Sequence, residues 1–570
     1  MIRRSTPRAA VRLPNGRGGR VHPRGIGPSP ARDRTGAVTT SPALQPPVAH
    51  SATDRTSGFR LTRRRRTVLF TVLSFAVCLA LGVQQWTSLQ LGGFDLGIFD
   101  QGVRGYAHFG LPVSTLKSVH HEFPPGFSLL GDHFSPVLAL LAPLYWVWDD
   151  PRMLLVGQAA LFAAGVPLVR RIASRAFAGA DARVRTRVLD GAALVYGLGW
   201  PLLISSRSGF HEVGFAVPLF LLLFERAGAR RWAGAALAAL LLCATKEDLG
   251  LAVGMFGAVL LWRERGGTDR WAKVLGWALL VGGPLASAVE IGWLIPAMGG
   301  VPGYYWNYSQ LGADGGQALR HVLGDPWLLV ESAFSSPLKP MLLGWLLLTT
   351  AALPLRSATS LVALPLLAER ILSDNPNHWS IARHYDAFLW PILVTAAIET
   401  LGVLWARGHF RQVRRLGATA AVLSLAASAA LGVYHLAVPY EWQPKPSTAA
   451  LARAAKLIPD GATVEADNQV APRLTNRTHV MLADGTPRGQ EYVILRYTQR
   501  AFPFQRDPEQ AEYRAFLLAH GYQELFDQDG VTLLRHTGTD PVPGAHLPGP
   551  GSTPYQEIIP PDVGHNFFLG

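Results

Sequence analysis

The sequence has few charged residues and almost no cysteine. Asp, Glu, Lys and Arg together make up 16% of the 570 residues, and only Cys78 and Cys243 carry thiols. Both cysteines fall inside apolar stretches, where a thiol behaves as a small hydrophobic group. The sequence therefore excludes a disulfide framework and offers no Cys-x-x-Cys metal motif.

Acidic residues are nearly missing from the first part of the chain. Residues 1–66 contain fifteen arginines and two aspartates, so this segment carries +13 of the formal net charge of +14. It is rich in Pro, Gly, Ser and Thr, which cannot bury a hydrophobic core, and we predict a disordered basic tail. Because the remaining residues are close to neutral, the charge does not favour a nucleic-acid partner.

Apolar residues are abundant and occur in blocks. They make up 49% of the chain and gather in Leu/Ala/Val runs that are separated by short Arg-rich or Gly/Pro-rich loops. This pattern predicts a mainly α fold, a polytopic helical bundle in the membrane that covers residues 67–438. No small-residue cleavage site follows the first apolar block, which we interpret as a retained span and not a signal peptide.

Loop charges predict the topology. Four arginines directly precede the first span, residues 67–84, so the positive-inside rule places the N-terminus in the cytoplasm and residues 85–133 in a large first outer loop. The apolar segment 134–148 is short and contains two prolines, so we predict that it lies along the outer membrane interface. Residues 152–169 are then the second span, and all the Arg-rich loops fall on the cytoplasmic side. The result is a multi-pass cell-membrane protein with about eleven spans, several of them shorter than the ~20 residues that a bilayer requires.

The pattern changes after the last span. Residues 445–540 begin with an amphipathic helix, continue with the β-type runs "ATVEADN", "EYVILRY" and "VTLLRH", and contain a hairpin signal at Asp529-Gly530. We predict a small α/β domain that the topology places outside the cytoplasm. Residues 541–570 are rich in Pro and Gly and are predicted to form an irregular tail.

Ionisable residues cluster on the predicted outer face. The first outer loop opens with "GGFDLGIFDQG", in which Asp95 and Asp100 are five residues apart. Further candidates on this face are Asp132, His133, Arg207, His211, Glu212, Lys246, Glu247, Asp248, Arg383, His384 and Tyr385. Ionisable groups near membrane depth are costly, so their grouping on one face favours a functional site.

Each of these motifs also has a simpler interpretation. A loop acid can serve solubility, and an acid or serine near a helix start can cap it. His120, His121 and Glu122, like Asp132 and His133, have ligand-type side chains but no spacing that is diagnostic of zinc. A divalent cation is therefore a possible cofactor that the spacing does not identify.

Four motifs carry a resemblance to a known family. "FDLGIFDQ", "GDHFSPVLALLAPLYWVW", "HEVGFAVPL" and "KEDLGL" resemble a family of predicted bacterial multi-spanning membrane proteins of unknown function. That family is grouped with the GT-C-fold glycosyltransferases, the class that contains protein mannosyltransferases and aminoarabinose transferases. The adjacent acidic pair that is usual in the first loop of this class is replaced here by the separated Asp95 and Asp100.

The resemblance implies a membrane glycosyltransferase. Such an enzyme would transfer a sugar from a polyprenyl-phosphate donor to a cell-envelope acceptor at the outer face of the bilayer. Asp95 best matches the general base, with Asp100 as the second candidate. The other outer-face residues would bind substrate, and Arg207, Lys246, Arg383 and His384 would supply the cations for the leaving phosphate.

Two alternatives share the same fold. A transporter or lipid-binding protein would have polar residues at mid-membrane depth and repeated halves. The sequence has no evident repeat, and Glu290 is one of few acids well inside an apolar stretch. A non-enzymatic role in envelope assembly would use the C-terminal domain as a docking module.

Overall fold

The computed structural model describes residues 62–555. Nearly all of the predicted basic tail (1–66) lies outside the described residues, as do residues 556–570. Within the described part, residues 541–555 form turns and irregular chain.

Helices dominate the membrane part. Their bounds are α1 (Arg63–Thr87), α2 (Ile98–Ala107), α3 (Thr115–His120), α4 (Ala142–Val147), α5 (Arg152–Ala176), α6 (Ala182–Gly197), α7 (Trp200–Arg207), α8 (Ala216–Gly228), α9 (Trp232–Cys243), α10 (Leu249–Arg263), α11 (Arg270–Val289), α12 (Ile295–Ala297), α13 (Gly315–Gly324), α14 (Trp327–Phe334), α15 (Leu338–Thr349), α16 (Leu364–Leu372), α17 (Trp390–Ala406), α18 (Phe410–Ser428) and α19 (Tyr434–Leu436). The prediction of a mainly helical chain is confirmed.

Six helical stretches in the described residues are long and apolar enough to cross a membrane. They are Arg63–Thr87, Arg152–Ala176, Ala182–Arg207, Arg270–Ala297, His384–Ala406 and Phe410–Leu436. Four shorter apolar helices accompany them: Pro136–Val147, Trp232–Cys243, Leu249–Arg263 and Leu338–Thr349. The predicted number of about eleven spans is therefore larger than the six described helical stretches that are each long enough to cross a membrane.

The bundle core is made of large side chains whose polar atoms are paired. Trp200, Trp390, Tyr196 and Phe162 are fully buried. The indole Nε1 of Trp390 donates to the Tyr196 carbonyl at 3.2 Å, and the Tyr196 hydroxyl donates to the Phe162 carbonyl at 2.9 Å. A buried polar group that forms a hydrogen bond adds little to the free-energy cost of burial. Tyr and Trp side chains can therefore fill the core between α5, α6 and α17.

The C-terminal domain consists of a five-stranded sheet and two helices. Its elements are α20 (Pro446–Ala455), β1 (Thr463–Ala466), β2 (His479–Leu482), β3 (Tyr492–Arg496), α21 (Glu509–Ala519), β4 (Tyr522–Gln528) and β5 (Val531–His536). The strand order is β2-β1-β3-β5-β4, with β1 parallel to β2 and β3, and β5 antiparallel to β3 and β4. Asp529 and Gly530, both at positive φ, form the predicted hairpin turn.

This domain shares a hydrophobic core with the segment that connects α1 to α4. Leu89, Ile98, Leu116 and Leu129 from that segment join the cluster formed by buried residues of α20 and the sheet. Helix α3 packs along β2, and the Thr115 hydroxyl donates to the Val480 carbonyl at 2.7 Å. The edge strand β2 is thereby covered, and the domain and this segment form one packed unit.

Candidate functional site

Asp95 lies in a π-helical turn that the C-terminal domain holds in place. The turn spans Gly93–Gly97. The Gly93 N–H donates to the Asn468 carbonyl at 2.6 Å, and the Phe94 N–H donates to the Asn468 side-chain oxygen at 2.8 Å. A Cβ at Gly93 would lie 2.6 Å from the Ala471 Cβ, so only glycine permits this approach.

The Asp95 carboxylate is accessible and faces cations. Its side chain is 52% exposed, and Oδ1 lies 3.6 Å from His211 Nε2. Desolvation acts to raise the pKa of Asp95, but the hydrogen bond and charge of His211, together with the charge of Arg383, lower it below its usual range. Asp95 is therefore ionised at neutral pH and open to a substrate.

His211 is fixed on both sides. Its ring stacks on that of His384 with the centroids 3.6 Å apart. Its main-chain N–H donates to Gln158 Oε1 at 3.1 Å, and Gln158 Nε2 donates to the Gly209 carbonyl at 2.5 Å. Gln158 is a buried amide in the span Arg152–Ala176. Gln158 is not among the site residues predicted from the sequence, although a single amide inside an apolar block indicates a buried polar contact.

Arg383 contributes a cation without a partner among the described residues. Its Nε is buried and has no hydrogen-bond partner there, and its guanidinium forms no ion pair with a described residue. The following turn, His384–Asp386, is held by a buried pair in which Arg370 donates to Asp386 at 2.5 Å. This pair fixes the positions of Arg383, His384 and Tyr385 beside His211.

Lys246 lies among four carboxylates. Its Nζ is 3.5 Å from Asp248. Burial lowers the pKa of Lys246, but the charges of Asp248, Glu369, Glu247 and Glu212 raise it well above its ordinary value. Burial and the neighbouring Asp248 raise the pKa of Glu369 to about 8. The sequence analysis did not select Glu369 as a site residue.

A charged pair joins the segment between α3 and α4 to the α9–α10 connection. His133 Nδ1 lies 2.7 Å from Glu247 Oε1, and the Phe134 N–H donates to Glu247 Oε2 at 3.2 Å. Burial opposes the charge on His133, but Glu247 raises its pKa to about 9. Burial also opposes the charge on Glu247, and His133 lowers its pKa to about 2. Both partners are therefore charged at neutral pH.

Asp132 has two partners that the sequence analysis missed. Lys117 Nζ lies 3.0 Å from Asp132 Oδ1, and the Tyr305 hydroxyl donates to the same oxygen at 2.5 Å. Burial raises the pKa of Asp132, but Lys117 and His133 lower it below the usual range. The Tyr305 ring stacks on His133 at 4.6 Å. Tyr305 lies in the "GYYWNY" run, residues 303–308 between α12 and α13, whose aromatic density was the available signal.

Two predicted site residues have other partners. Asp100 is fully buried and accepts hydrogen bonds from Arg104 Nη2 at 3.0 Å and from the Tyr145 hydroxyl at 2.7 Å. Arg207 lies 3.5 Å from Glu441, which also pairs with His435 at 2.7 Å. These contacts tie Asp100 to α4 and Arg207 to the segment after α19.

Metal ligands are not grouped in the part of the chain that the structure describes. Across residues 62–555, no three or more His, Cys, Asp or Glu side chains form an arrangement that could hold a metal ion. The carboxylates around Lys246 instead surround an ammonium group.

The family is shown by a match over most of the chain. Residues 85–533 match the family described as "Predicted membrane protein (DUF2079)". The chain belongs to this family. The matched region begins near the end of α1 and ends in β5, so it includes every residue of the candidate site and most of the α/β domain of this DUF2079 member.

Several solved structures are also similar to the chain. The crystal structure of ArnT from Cupriavidus metallidurans bound to undecaprenyl phosphate matches with a TM-score of 0.44 and 12% sequence identity. The match covers 84% of the DUF2079 chain and 99% of that chain. No curated protein matches.

Proposed function

We propose that this DUF2079 protein is a membrane glycosyltransferase-like enzyme. It transfers a sugar from a polyprenyl-phosphate donor to a cell-envelope acceptor at the outer face of the membrane. One observation carries the proposal: Asp95 is ionised and accessible beside His211, and it faces Arg383, which has no ion-pair partner among residues 62–555. A base and a cation that is not held in an ion pair, both at the end of a membrane span, suit a phosphate donor whose polyprenyl chain lies in the membrane.

The reaction needs a proton acceptor. An acceptor hydroxyl forms a new bond to the anomeric carbon while the bond from that carbon to the phosphate oxygen breaks. The hydroxyl proton passes to Asp95, whose carboxylate must come within ~3 Å of it. Polyprenyl phosphate leaves with the electron pair of the broken bond.

The leaving phosphate needs a cation. Arg383 suits this role because a guanidinium binds phosphate through two parallel hydrogen bonds and because no carboxylate of the described chain forms an ion pair with it. Lys246 is less suitable, since Asp248 and its neighbours already neutralise it. His211 and His384, stacked beside Asp95, form the wall that orients the reacting groups.

The proposal is tested by supplying donors to the purified protein. Wild-type protein in nanodiscs is given a panel of polyprenyl-phosphate sugars together with an envelope extract, and release of polyprenyl phosphate is followed. We expect release with at least one donor and a loss of ~10²-fold in Arg383→Gln, the size typical for removal of one group that stabilises developing charge. Arg356→Gln, an exposed arginine near α15, is the matched control. No release and no donor binding across the panel would contradict the proposal.

A transport function is favoured by one separate observation. Glu290 is buried within the stretch Arg270–Ala297, and its Oε2 has no hydrogen-bond partner among the described residues. Buried acids at membrane depth mark proton pathways in transporters. Proton flux into proteoliposomes under an imposed potential, abolished in Glu290→Gln, would support transport. Absence of flux in the wild type would contradict it.

A further inference from the structure

An elongated cavity lies between three membrane helices, away from the Asp95 site. Its volume is about 680 Å³, and it is lined mainly by α6, α17 and α18. On α6 the lining residues run from Val184 to Val195 at helical spacing, and on α17 they run from Trp390 to Trp405. Most of the lining is apolar, so the cavity suits a hydrocarbon chain.

The length of the cavity matches one leaflet of a bilayer. The lining on α6 covers eleven residue steps, which at ~1.5 Å per residue is about 16 Å. Half of the ~30 Å hydrocarbon core of a bilayer is about 15 Å. A lipid chain that lies along these helices would therefore fill the cavity from its headgroup end to the middle of the membrane.

Three arginines stand at one end of this cavity. Arg187 lies near the start of α6, and Arg411 and Arg414 lie in the first turns of α18. Phe177 and Trp405, at the ends of α5 and α17, line the same end. No Asp or Glu lines the cavity, and none of the three guanidiniums forms a hydrogen bond or ion pair that the described residues provide.

We propose that this cavity binds an anionic phospholipid. The phosphate of the headgroup lies among Arg187, Arg411 and Arg414, and an acyl chain lies along α6, α17 and α18. The starts of α6 and α18 face the same end, so their positive dipole ends add to the attraction for an anion. This inference is independent of the proposed transferase function, because it involves no residue of the Asp95 site.

Gly191 offers a way to block the cavity without disturbing the fold. It lines the cavity on α6, and an added Cβ there would have no heavy atom within 4 Å. Gly191→Leu should therefore place its side chain in the space proposed for the acyl chain. Gly282→Leu is the matched control, since Gly282 on α11 has equally free space and does not line the cavity.

The headgroup contact has its own matched pair of variants. The test variant replaces Arg187, Arg411 and Arg414 with Gln. The control replaces Arg183, Arg407 and Arg415, which are exposed arginines at the same ends of α6, α17 and α18 and do not line the cavity. Both triple variants lower the net charge equally, so a difference between them reports position and not charge.

The experiment is native mass spectrometry of the full-length protein titrated with phosphatidylglycerol or phosphatidylcholine. We expect the wild type to prefer phosphatidylglycerol about 10-fold to 100-fold, as three basic residues near a headgroup would give. The preference should be lost in the variant that replaces Arg187, Arg411 and Arg414. Gly191→Leu should lose the bound lipid. Both control variants should behave as wild type. The proposal would be overturned if the wild type bound the two lipids equally or if Gly191→Leu bound lipid as the wild type does. It would also be overturned if inorganic phosphate fully displaced the bound lipid.

Discussion

Asp95 and Asp100 are five residues apart and meet different surroundings. Asp95 remains half exposed beside His211, whereas Asp100 is buried between Arg104 and Tyr145. Asp95 lies in the π-helical turn Gly93–Gly97 and Asp100 in the helix that follows it, and the turn does not bring the two side chains to the same partners. A buried carboxylate that already satisfies an arginine and a tyrosine suits a structural role.

Asp100→Asn should therefore weaken the fold. The amide cannot neutralise Arg104, whose side chain is only 15% exposed, so the guanidinium loses its buried carboxylate partner and keeps only Asp149, whose side chain is 52% exposed. We expect a loss of about 1–3 kcal/mol of stability, measured as a lower thermal midpoint in detergent. Asp100→Glu, which keeps the charge, is the control; an unchanged midpoint in Asp100→Asn would argue against the structural role.

The His133–Glu247 pair predicts a pH dependence of stability. Because Glu247 raises the pKa of His133 from 6.5 to about 9, the contribution of His133 is fully present below pH 6.5 and is lost as the pH rises through 9. Because His133 lowers the pKa of Glu247 from 4.5 to about 2, the contribution of Glu247 is fully present above pH 4.5 and is lost as the pH falls through 2. Both contributions are complete between these limits, from pH 4.5 to 6.5.

The measurement compares thermal midpoints of wild type and His133→Gln across pH. The wild type should be more stable by the largest margin between pH 4.5 and 6.5, and the margin should shrink as the pH passes 9. A margin that stays constant with pH would show that the two side chains do not interact as a charged pair.

Much of the candidate site could be predicted at the residue level. His211, Arg383 and His384 were selected because ionisable residues at span ends are costly, and the structure brings them together near Asp95. Lys117 and Tyr305 were not selected, since their contacts with Asp132 join segments far apart in the chain. No local pattern in a single sequence encodes such a contact.

At the scale of elements, one turn depends on a distant domain. Asn468 lies directly after β1 and accepts hydrogen bonds from the N–H groups of Gly93 and Phe94. The "ADNQVAPR" stretch of the C-terminal domain therefore positions the Asp95 turn. We propose Asn468 as a positioning residue for Asp95.

Asn468→Ala should reduce turnover without unfolding the protein. The Phe94 N–H loses its side-chain acceptor, so the turn can shift by a fraction of an ångström, which is enough to cost about 10-fold or more in a positioned reaction. Asn468→Asp keeps the acceptor oxygen and should retain most of the turnover. Equal turnover in wild type and Asn468→Ala, at equal expression, would exclude the positioning role.

The element boundaries show what a sequence pattern can specify. Apolar blocks predicted α1 and α5 well, although α1 begins at Arg63 and takes in the arginines expected before it, because Thr62 caps it there. The strand β2 was missed because it has only four residues and its partners lie elsewhere in the chain. The π-helical turn could not be predicted, since it results from contact with Asn468.

At the scale of the whole molecule, the orientation in the membrane remains a prediction from loop charge. Reporter fusions after Asp54 and after Gly538 should report the cytoplasmic and the extracytoplasmic side, respectively, because Arg-rich loops are retained in the cytoplasm. Signals from the same side for both fusions would contradict the orientation and with it the outer-face position of Asp95.

The shared core makes the C-terminal domain part of the membrane protein. Leu116 of α3 and Ile98 of α2 are buried together with Val464 and Ile494 of the sheet. A domain cut out at residues 445–540 would expose this apolar face to water, so the proposed chemistry is best studied in the full chain. The envelope-assembly alternative would instead need the domain to be free for docking.

The most direct test of the proposed mechanism is the rate of polyprenyl phosphate release by Asp95→Asn in nanodiscs. The amide keeps the shape of the side chain but cannot accept the acceptor's proton, so turnover should fall by ~10²–10⁴-fold with expression and thermal midpoint unchanged. Asp314→Asn is the matched control, because Asp314 caps α13 and asparagine caps equally well. Release by Asp95→Asn at the wild-type rate would contradict the assignment of Asp95 as the base.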